Sequence, residues 1–354
     1  MPLEGTCLLL TWVLLTACAR SVPTPPSTGL PPAQITHAST HDGWDLQLRH
    51  FPNEGPPVLL MHGMGTNHYN WDYAEEISLA AYLQSRGWDV WIASMRGDMG
   101  STAPPRRGAS TYTFDDIANY DVPAIVESVL AQSPYEQLFW VGHSMGGMLL
   151  YTALTRDPTP IAAGVSIASP ATFAEQQPVH QVASTASRFI PAYGTTQSRA
   201  TYAAIDAVFE FNPMVQLLSN PENLDLELAQ GLSDVGMGDV SRGMVRQVHV
   251  WLSTGDFVTM EGEPWLTPVE VPVLVLAGSV DRVAPQANVT AACKVLPQCE
   301  VRILGTQSGL STEYGHIDLV VGMTARIEVY PQIHHWLKAQ AALPPGDGSG
   351  VQPL

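Results

Sequence analysis

The run Gly142-His143-Ser144-Met145-Gly146 constrains the fold of this chain more than any other stretch. It follows residues 136–140, which are typical of a buried strand, and the apolar run that starts at Met148 opens a helix. Gly-x-Ser-x-Gly between a strand and a helix is the pattern of a nucleophile elbow, in which Gly142 and Gly146 leave room for a sharp turn. A glycine-rich turn with an incidental serine is the alternative, so the surrounding sequence must decide.

Strand patterns alternate with helical patterns along most of the chain. The strand segments are short and apolar on one or both faces, and they are residues 44–49, 57–61, 88–93, 136–140, 161–168, 271–277 and 301–304. Helical patterns run from 77 to 85 and from 114 to 131. This alternation predicts an α/β fold with a mostly parallel central sheet, helices on both faces and an early antiparallel strand at 44–49.

The alternation stops between Pro170 and Pro268. Residues 170–267 combine helical patterning with several aromatics, and they are too long for a connection and too apolar for a linker. We interpret 170–267 as a helical cap or lid inserted into the sheet domain, whose two parts are then 35–169 and 268–342. The Pro/Gly-rich residues 343–354 are predicted to be a disordered tail.

Two further residues of suitable chemistry follow predicted strands. Asp281 follows the strand at 271–277, and His316 lies one strand later, before the last helix. A serine hydroxyl is a poor nucleophile at neutral pH and needs a base, which in turn needs an orienting acid. Elbow-type enzymes carry these groups in the order Ser, acid, His. Ser144, Asp281 and His316 are therefore the predicted catalytic triad, although each residue alone has common structural roles.

A serine nucleophile also needs donors for the oxyanion that develops on the attacked carbonyl. The backbone N–H of Met145, directly after the serine, is one predicted donor. The second is expected from the glycine-flanked turn His62-Gly63-Met64-Gly65, which follows the strand at 57–61. We predict Met64 and Met145 as the oxyanion-hole residues.

The composition excludes several classes of partner. The chain has 354 residues with a formal net charge of −17, and this argues against nucleic acid and anionic membrane surfaces as partners. Hydrophobic residues make up 45% of the chain and charged residues 14%, so we expect a large buried core. No metal-ligand spacing occurs, and neither a metal nor a cofactor is predicted.

The N-terminus has the features of a targeting segment. Residues 7–17 form an apolar run of signal-peptide length, so 1–17 are predicted to be a signal peptide. The ending Leu15-Thr16-Ala17-Cys18 resembles a bacterial lipobox, which implies lipidation of Cys18, and 18–34 then form a Pro-rich tether. Residues 1–4 include Glu4 and no Lys or Arg, and an ordinary secretory signal is the alternative. Either way we expect an exported protein, lipid-anchored in a bacterial envelope or secreted, with no other membrane attachment.

Cys293 and Cys299 are close together, at a predicted helix end and at the start of the next strand. An oxidising compartment would allow a disulfide between them. Two free buried thiols are the alternative.

The quoted motifs resemble the α/β-hydrolase fold and, within it, the acid lipases of the gastric and lysosomal type. The resemblance is densest from Val58 to about Pro158 and includes Leu60-Met61-His62-Gly63, Arg96-Gly97-Asp98 and Asp121-Val122-Pro123-Ala124. A second patch contains Asp281 and 315–318. The resemblance implies the same triad and the same oxyanion donors. Position 145 departs from the family, which usually has Gln after the nucleophile.

The sequence therefore predicts a serine hydrolase that cleaves carboxylic esters, with a lipid or another apolar acyl ester as its substrate. Acyl transfer or cofactor-free peroxidation on the same triad stays open as an alternative. A third possibility is a non-catalytic surface lipoprotein that keeps the fold as a binding module. The sequence predicts no oligomeric state.

Overall fold

The computed structural model describes residues 24–105, 111–178, 180 and 217–342. The predicted signal peptide 1–17, Cys18, the tether residues 18–23 and the tail 343–354 lie outside the described residues. So do residues 179 and 181–216 of the predicted cap. No helix within the described ranges is both long enough and apolar enough to span a membrane.

The fold is built on a central sheet of eight strands. The strands are β1 (Gln34–Ser39), β2 (Asp45–Phe51), β3 (Pro57–Met61), β4 (Asp89–Ala93), β5 (Leu138–His143), β6 (Ile161–Ile167), β7 (Val273–Gly278) and β8 (Cys299–Leu304). Their order in the sheet is β1-β2-β4-β3-β5-β6-β7-β8. Strands β1, β2 and β4 pair antiparallel, and every other pair is parallel, so the predicted α/β class with a mostly parallel sheet is confirmed.

Helices cover both faces of this sheet. They are α1 (Leu79–Gln84), α2 (Phe114–Asp116), α3 (Val122–Leu130), α4 (Met145–Arg156), α5 (Leu226–Gly236), α6 (Arg242–Thr254), α7 (Gln286–Thr290), α8 (Asp318–Val321), α9 (Ala325–Glu328) and α10 (Tyr330–Ala341). Strand β5 divides its side chains between two apolar clusters, because successive residues of a strand point to opposite faces. Leu138 and Trp140 pack with α4 on one face, and Phe139 and Val141 pack with α10 on the other.

The helix predicted over 114–131 is interrupted by a π-helical turn, Ile117–Asp121, between α2 and α3. This turn ends at Asp121, whose carboxylate is buried. The carboxylate accepts two hydrogen bonds from Arg96, one from Nε at 2.8 Å and one from the backbone N–H of Arg96 at 2.9 Å. Arg96 also binds the Asp42 carboxylate, and its guanidinium is almost fully buried. The turn thereby ties the loop after β4 to the helical layer.

The end of the predicted tether 18–34 is attached to the folded domain. Gln34 is the first residue of β1, which pairs with β2, and Leu30 and Ala33 pack against the apolar core. The Ser27 carbonyl accepts a hydrogen bond of 3.1 Å from the Glu75 N–H. The apolar side chains and the strand pairing explain why the chain is ordered before residue 35.

The described part of the predicted cap contains helices α5 and α6. Helix α6 packs near α2, and the Asp115 carboxylate accepts hydrogen bonds from Gln247, from the Met260 N–H at 2.8 Å and from Trp265 Nε1 at 3.1 Å. One half-buried carboxylate on α2 therefore holds three points of the inserted segment. The boundaries 170 and 267 stay predictions.

Candidate active site

The elbow serine lies at the junction of β5 and α4. Ser144 has φ 54° and ψ −119°, a left-handed conformation that non-glycine residues rarely adopt. A Cβ on Gly142 would overlap the backbone of Gly146, and a Cβ on Gly146 would overlap the carbonyl groups of Met61 and His62. The two glycines are therefore required by the close approach of the backbone, and the turn stores local strain at the serine.

Asp281 and His316 approach the serine from the loops after β7 and β8. His316 Nε2 lies 3.0 Å from Ser144 Oγ, and His316 Nδ1 lies 2.8 Å from Asp281 Oδ2. The other carboxylate oxygen of Asp281 accepts the N–H groups of Val283 and Ala284, both at 2.8 Å. The structure brings the three predicted triad residues together in one continuous hydrogen-bonded chain.

Backbone contacts hold the His316 loop in place. The N–H groups of His316 and Ile317 both donate to the Leu218 carbonyl, at 3.0 and 2.9 Å. The Gly315 N–H donates to both carboxylate oxygens of the buried Asp318 at 3.0 Å. His316 is therefore positioned by a segment at the described edge of the insertion as well as by its own loop.

The predicted oxyanion turn packs directly against Ser144. A Cβ on Gly63 would come 3.2 Å from the Cβ of Ser144, so only glycine fits without displacement. Met145 is the first residue of α4, and its N–H has no partner within the helix because the first turn of any helix leaves its donors free. Met64, whose side chain is 42% exposed, follows Gly63 in the turn.

Two histidines beside the triad carry roles that the sequence did not reveal. His62 is fully buried, and its Nε2 lies 2.9 Å from Asp98 Oδ2. His143 is also buried, and its Nε2 lies 3.1 Å from the main-chain oxygen of His316. The His-Gly step and the Arg96-Gly97-Asp98 run were the available signals, but the pairing depends on how the loops after β3 and β4 meet.

A small cavity lies beside the oxyanion turn. Its lining combines the turn with apolar side chains such as Met145 and Met244 and with the charged groups of Arg96, Asp98 and Asp239. Two larger clefts of about 420 and 400 Å³ lie around Val280 and Glu313, and neither contains Ser144 or His316. The cavity at the turn is lined by Gly63 and Met145, which are the neighbours of Ser144 in the structure and in the chain.

The remaining predicted site residues lie elsewhere. Cys293 and Cys299 are joined by a disulfide, with their Cα atoms 5.1 Å apart. Cys18 lies outside the described residues. In the described part of the chain, His, Cys, Asp and Glu side chains form no cluster of three or more that could hold a metal ion.

The fold and the site define a class: an open α/β sheet that presents a strained serine, hydrogen-bonded to a histidine, at the carboxyl edge of its strands. The sequence model described as alpha/beta hydrolase fold matches residues 56–308. That match covers well over half of the chain, and the chain belongs to this family.

Curated relatives are similar over a shorter stretch. Lipase lipl-3 of Caenorhabditis elegans is 30% identical over 142 residues, which cover 36% of this chain and 35% of that protein. Human lysosomal acid lipase/cholesteryl ester hydrolase is 30% identical over 142 residues, 36% of each chain. The match thus spans about a third of the length of these relatives. The resemblance to acid lipases predicted from the motifs is confirmed.

Among solved structures, an esterase from Exiguobacterium antarcticum is similar with a TM-score of 0.61 and 16% identity. The match covers 86% of this chain and all of that one. At this identity the likeness establishes the fold.

Proposed function

We propose that this protein is a serine hydrolase that cleaves carboxylic esters, with Ser144 as nucleophile, His316 as base and Asp281 as the orienting acid. The observation that carries the proposal is the hydrogen-bonded chain from Ser144 Oγ through both ring nitrogens of His316 to Asp281. The carboxylate accepts the Nδ1–H of His316, so Nε2 is left unprotonated and faces the serine hydroxyl.

The reaction follows from this arrangement. Ser144 Oγ attacks the ester carbonyl carbon while Nε2 of His316 takes the hydroxyl proton, and the carbonyl oxygen becomes an oxyanion held by the N–H groups of Met64 and Met145. Collapse of this intermediate breaks the bond to the alcohol, which receives the proton from His316. Water then attacks the acyl-enzyme with His316 as base, and the carboxylic acid and free Ser144 are formed.

We propose a lipid or another apolar acyl ester as the substrate. One support is the set of four methionine side chains beside the oxyanion turn, Met64, Met95, Met145 and Met244. Flexible methionine side chains adapt to apolar chains of different shape. The names of two relatives support the same substrate class, since both are named as lipases and one also as a cholesteryl ester hydrolase.

The decisive test is hydrolysis of p-nitrophenyl esters by the wild type and by Ser144→Ala. We expect the variant to lose activity by at least about 10³-fold while its circular dichroism spectrum and Tm stay close to those of the wild type. Ser169→Ala is a matched control, because Ser169 is a buried serine outside the triad. Activity that survives Ser144→Ala would contradict the assignment.

The alternatives are separated by two further measurements. A fluorophosphonate probe should label Ser144 in the wild type, whereas a non-catalytic binding protein would not react. Product analysis with added alcohols or hydrogen peroxide distinguishes hydrolysis from acyl transfer and peroxidation. A series of acyl chain lengths then measures the preference for apolar substrates.

We further propose export with a lipid on Cys18, which rests on the lipobox-like sequence 15–18. Cells fed an alkyne fatty acid should label the wild type, and Cys18→Ser should abolish the label. Cys7→Ser, within the same apolar run, is the control that should retain it. A label that persists in Cys18→Ser would contradict attachment at Cys18, and a wild type without label would leave an ordinary secretory signal as the explanation.

A further inference from the structure

The Gly63–Met64 peptide of the oxyanion turn is held from behind by two side chains. Its carbonyl oxygen, on Gly63, lies 2.9 Å from His62 Nδ1 and accepts a hydrogen bond of 3.0 Å from the Thr66 hydroxyl. The peptide bonds of the described residues are all trans. In a trans peptide the C=O and the N–H point in opposite directions, so fixing the Gly63 oxygen also fixes the direction of the Met64 N–H.

Two short polar contacts bear on the protonation state of the His62 ring, a hydrogen bond through Nδ1 and an ion pair through Nε2. Nδ1 faces the Gly63 carbonyl oxygen, and Nε2 lies 2.9 Å from Asp98 Oδ2. Both partners are acceptors, and a neutral imidazole carries only one N–H. The hydrogen bond to Gly63 needs a proton on Nδ1, and the contact of Nε2 with Asp98, which is an ion pair without hydrogen-bond alignment, is favourable when the ring is an imidazolium. Asp98 is itself fixed, because its Oδ2 accepts the Met95 N–H at 2.9 Å.

The electrostatic surroundings agree with a charged His62. Burial by itself lowers the pKa of His62, but the Asp98 carboxylate and the Gly63 carbonyl outweigh it and raise the pKa above 6.5. Burial lowers the pKa of both His68 and His143 to about 3, so these two neighbours are neutral at pH 7.

Other polar groups line the cavity that His62 adjoins: Arg96, Asp98, Tyr112 and Asp239. The guanidinium of Arg96 is neutralised by Asp42 and Asp121. Burial raises the pKa of Tyr112, which is therefore uncharged at neutral pH. Asp98 is the carboxylate in direct contact with the His62 ring.

We propose that His62, held as an imidazolium by Asp98, and Thr66 are positioning residues that orient and polarise the Gly63–Met64 peptide. A cationic donor on the carbonyl oxygen draws electron density from the amide and makes the Met64 N–H a stronger donor to the oxyanion. The inference rests on the proposed function, since the oxyanion forms only if Ser144 attacks an ester. It assigns the alignment of one backbone donor to three side chains, which act on the oxyanion through the Met64 N–H.

Thr66→Val removes the hydroxyl that holds the Gly63 carbonyl oxygen and changes the shape of the side chain little. We expect kcat for a p-nitrophenyl ester to fall about tenfold with KM unchanged, a fraction of the loss seen when an oxyanion donor is removed outright. The Ki of a trifluoromethyl ketone, which forms a tetrahedral adduct, should rise by the same factor. Thr66→Ser keeps the hydroxyl and should lose less than Thr66→Val.

Thr155→Val is the matched control. The Thr155 hydroxyl accepts a hydrogen bond of 3.1 Å from the Thr267 N–H at the far end of α4, so it tests the loss of a threonine hydroxyl away from the site. Its kcat should equal that of the wild type. Both constants are measured per active site, which is titrated with a fluorophosphonate. Equal kcat and Ki in Thr66→Val and in the wild type would overturn the positioning role of Thr66.

The charge on His62 is tested without any enzymatic readout. In ¹⁵N-histidine-labelled protein at pH 7, one ring that is absent from the His62→Gln spectrum should show both nitrogens protonated. Asp98→Asn should convert that ring to a neutral tautomer and lower kcat by about tenfold or more. A neutral His62 in the wild type would overturn the inference.

The two proposals fail in different ways. Activity that survives Ser144→Ala overturns the proposed function, and the role of the Met64 N–H with it. Ser144-dependent activity that is unchanged in both Thr66→Val and Asp98→Asn overturns only the positioning role.

Discussion

His143 Nε2 lies 3.1 Å from the main-chain oxygen of His316, so the residue before the serine contacts the residue proposed as its base. Burial, reinforced by the neighbouring His316, lowers the pKa of His143 to about 3 and keeps the ring neutral. Nδ1 of His143 has no hydrogen-bond partner among the described residues, so the single ring proton belongs on Nε2, where it is donated to the His316 carbonyl.

The first prediction concerns this contact. His143→Phe keeps a ring that can pack edge-to-face on Trp71 but removes the donor. Without the donor the His316 backbone is no longer fixed at this point, so we expect kcat to fall about tenfold, equivalent to about 1.4 kcal/mol. The buried carbonyl left without its donor should also lower the free energy of unfolding by about 1–3 kcal/mol. His335→Phe, on the exposed side of α10, should leave kcat unchanged. Wild-type kcat in His143→Phe would rule out the positioning role.

The second prediction is a pH dependence of stability from Asp318. Burial raises the pKa of this carboxyl from 3.8 to about 6, against the hydrogen bonds from Gly315, Asn220 and Asn223, which lower it. Between about pH 4 and pH 6 the native state therefore binds more protons than the unfolded state, and the free energy of unfolding falls as pH rises. The shift of about two pKa units corresponds to roughly 3 kcal/mol lost across that range.

Asp318→Asn isolates this contribution, because the amide does not titrate. The stability of the wild type relative to the variant, from urea unfolding at pH 4 and pH 7, should be greater at pH 4. A difference that is constant with pH, or that grows toward pH 7, would contradict the raised pKa.

The third prediction concerns the attachment of the inserted segment through Asp115. Asp115→Ala removes the acceptor for Gln247, Met260 and Trp265, and we expect the free energy of unfolding to fall by about 3 kcal/mol. Limited proteolysis should cut the variant faster within 217–267. Glu127→Ala, on the exposed face of α3, is the control and should match the wild type. Unchanged cleavage in Asp115→Ala would mean that other contacts hold the segment.

The fourth prediction concerns the disulfide between Cys293 and Cys299, which are six residues apart. Closing so short a loop restricts the unfolded chain by about 2 kcal/mol. The double variant Cys293→Ala/Cys299→Ala should therefore have a lower Tm but the same kcat, because the bond does not contact the triad. Reduction of the wild type should produce the same drop in Tm, and a drop in kcat without one in Tm would contradict this reading.

Much of the sheet was predictable because its strands are buried on both faces. The continuous apolar run 57–61 coincides with β3 as observed, and Ser144, Asp281 and His316 each follow a strand whose apolar character is evident. The carboxyl ends of parallel strands share one edge of the sheet, so the order along the chain was enough to predict that these residues meet.

Strand β1 and the end of β5 were not predictable in the same way. Most residues of Gln34–Ser39 are exposed, so this edge strand has no apolar pattern, and its conformation depends on pairing with β2. The predicted strand 136–140 continues to His143, because the parallel neighbour β6 pairs as far as Ile167. In both cases a partner distant in sequence determines the extent of the strand.

The histidines beside the triad escaped prediction for a related reason. His62 and Asp98 lie on different loops, and the protonation of the ring depends on which atoms face its two nitrogens. The π-helical turn at Ile117–Asp121 likewise depends on Arg96, which lies on another loop. Local sequence patterns carry no information about such contacts.

The hydrogen bond between Ser144 and His316 joins residues 172 positions apart. It requires β5, β7 and β8 to be in register and the chain around Leu218 to be docked on the His316 loop. Reaction with a fluorophosphonate therefore depends on assembly of nearly the whole domain. On the proposed function, the rate at which Ser144 becomes reactive to a single covalent label would therefore measure refolding, because the distant parts of the chain must come together first.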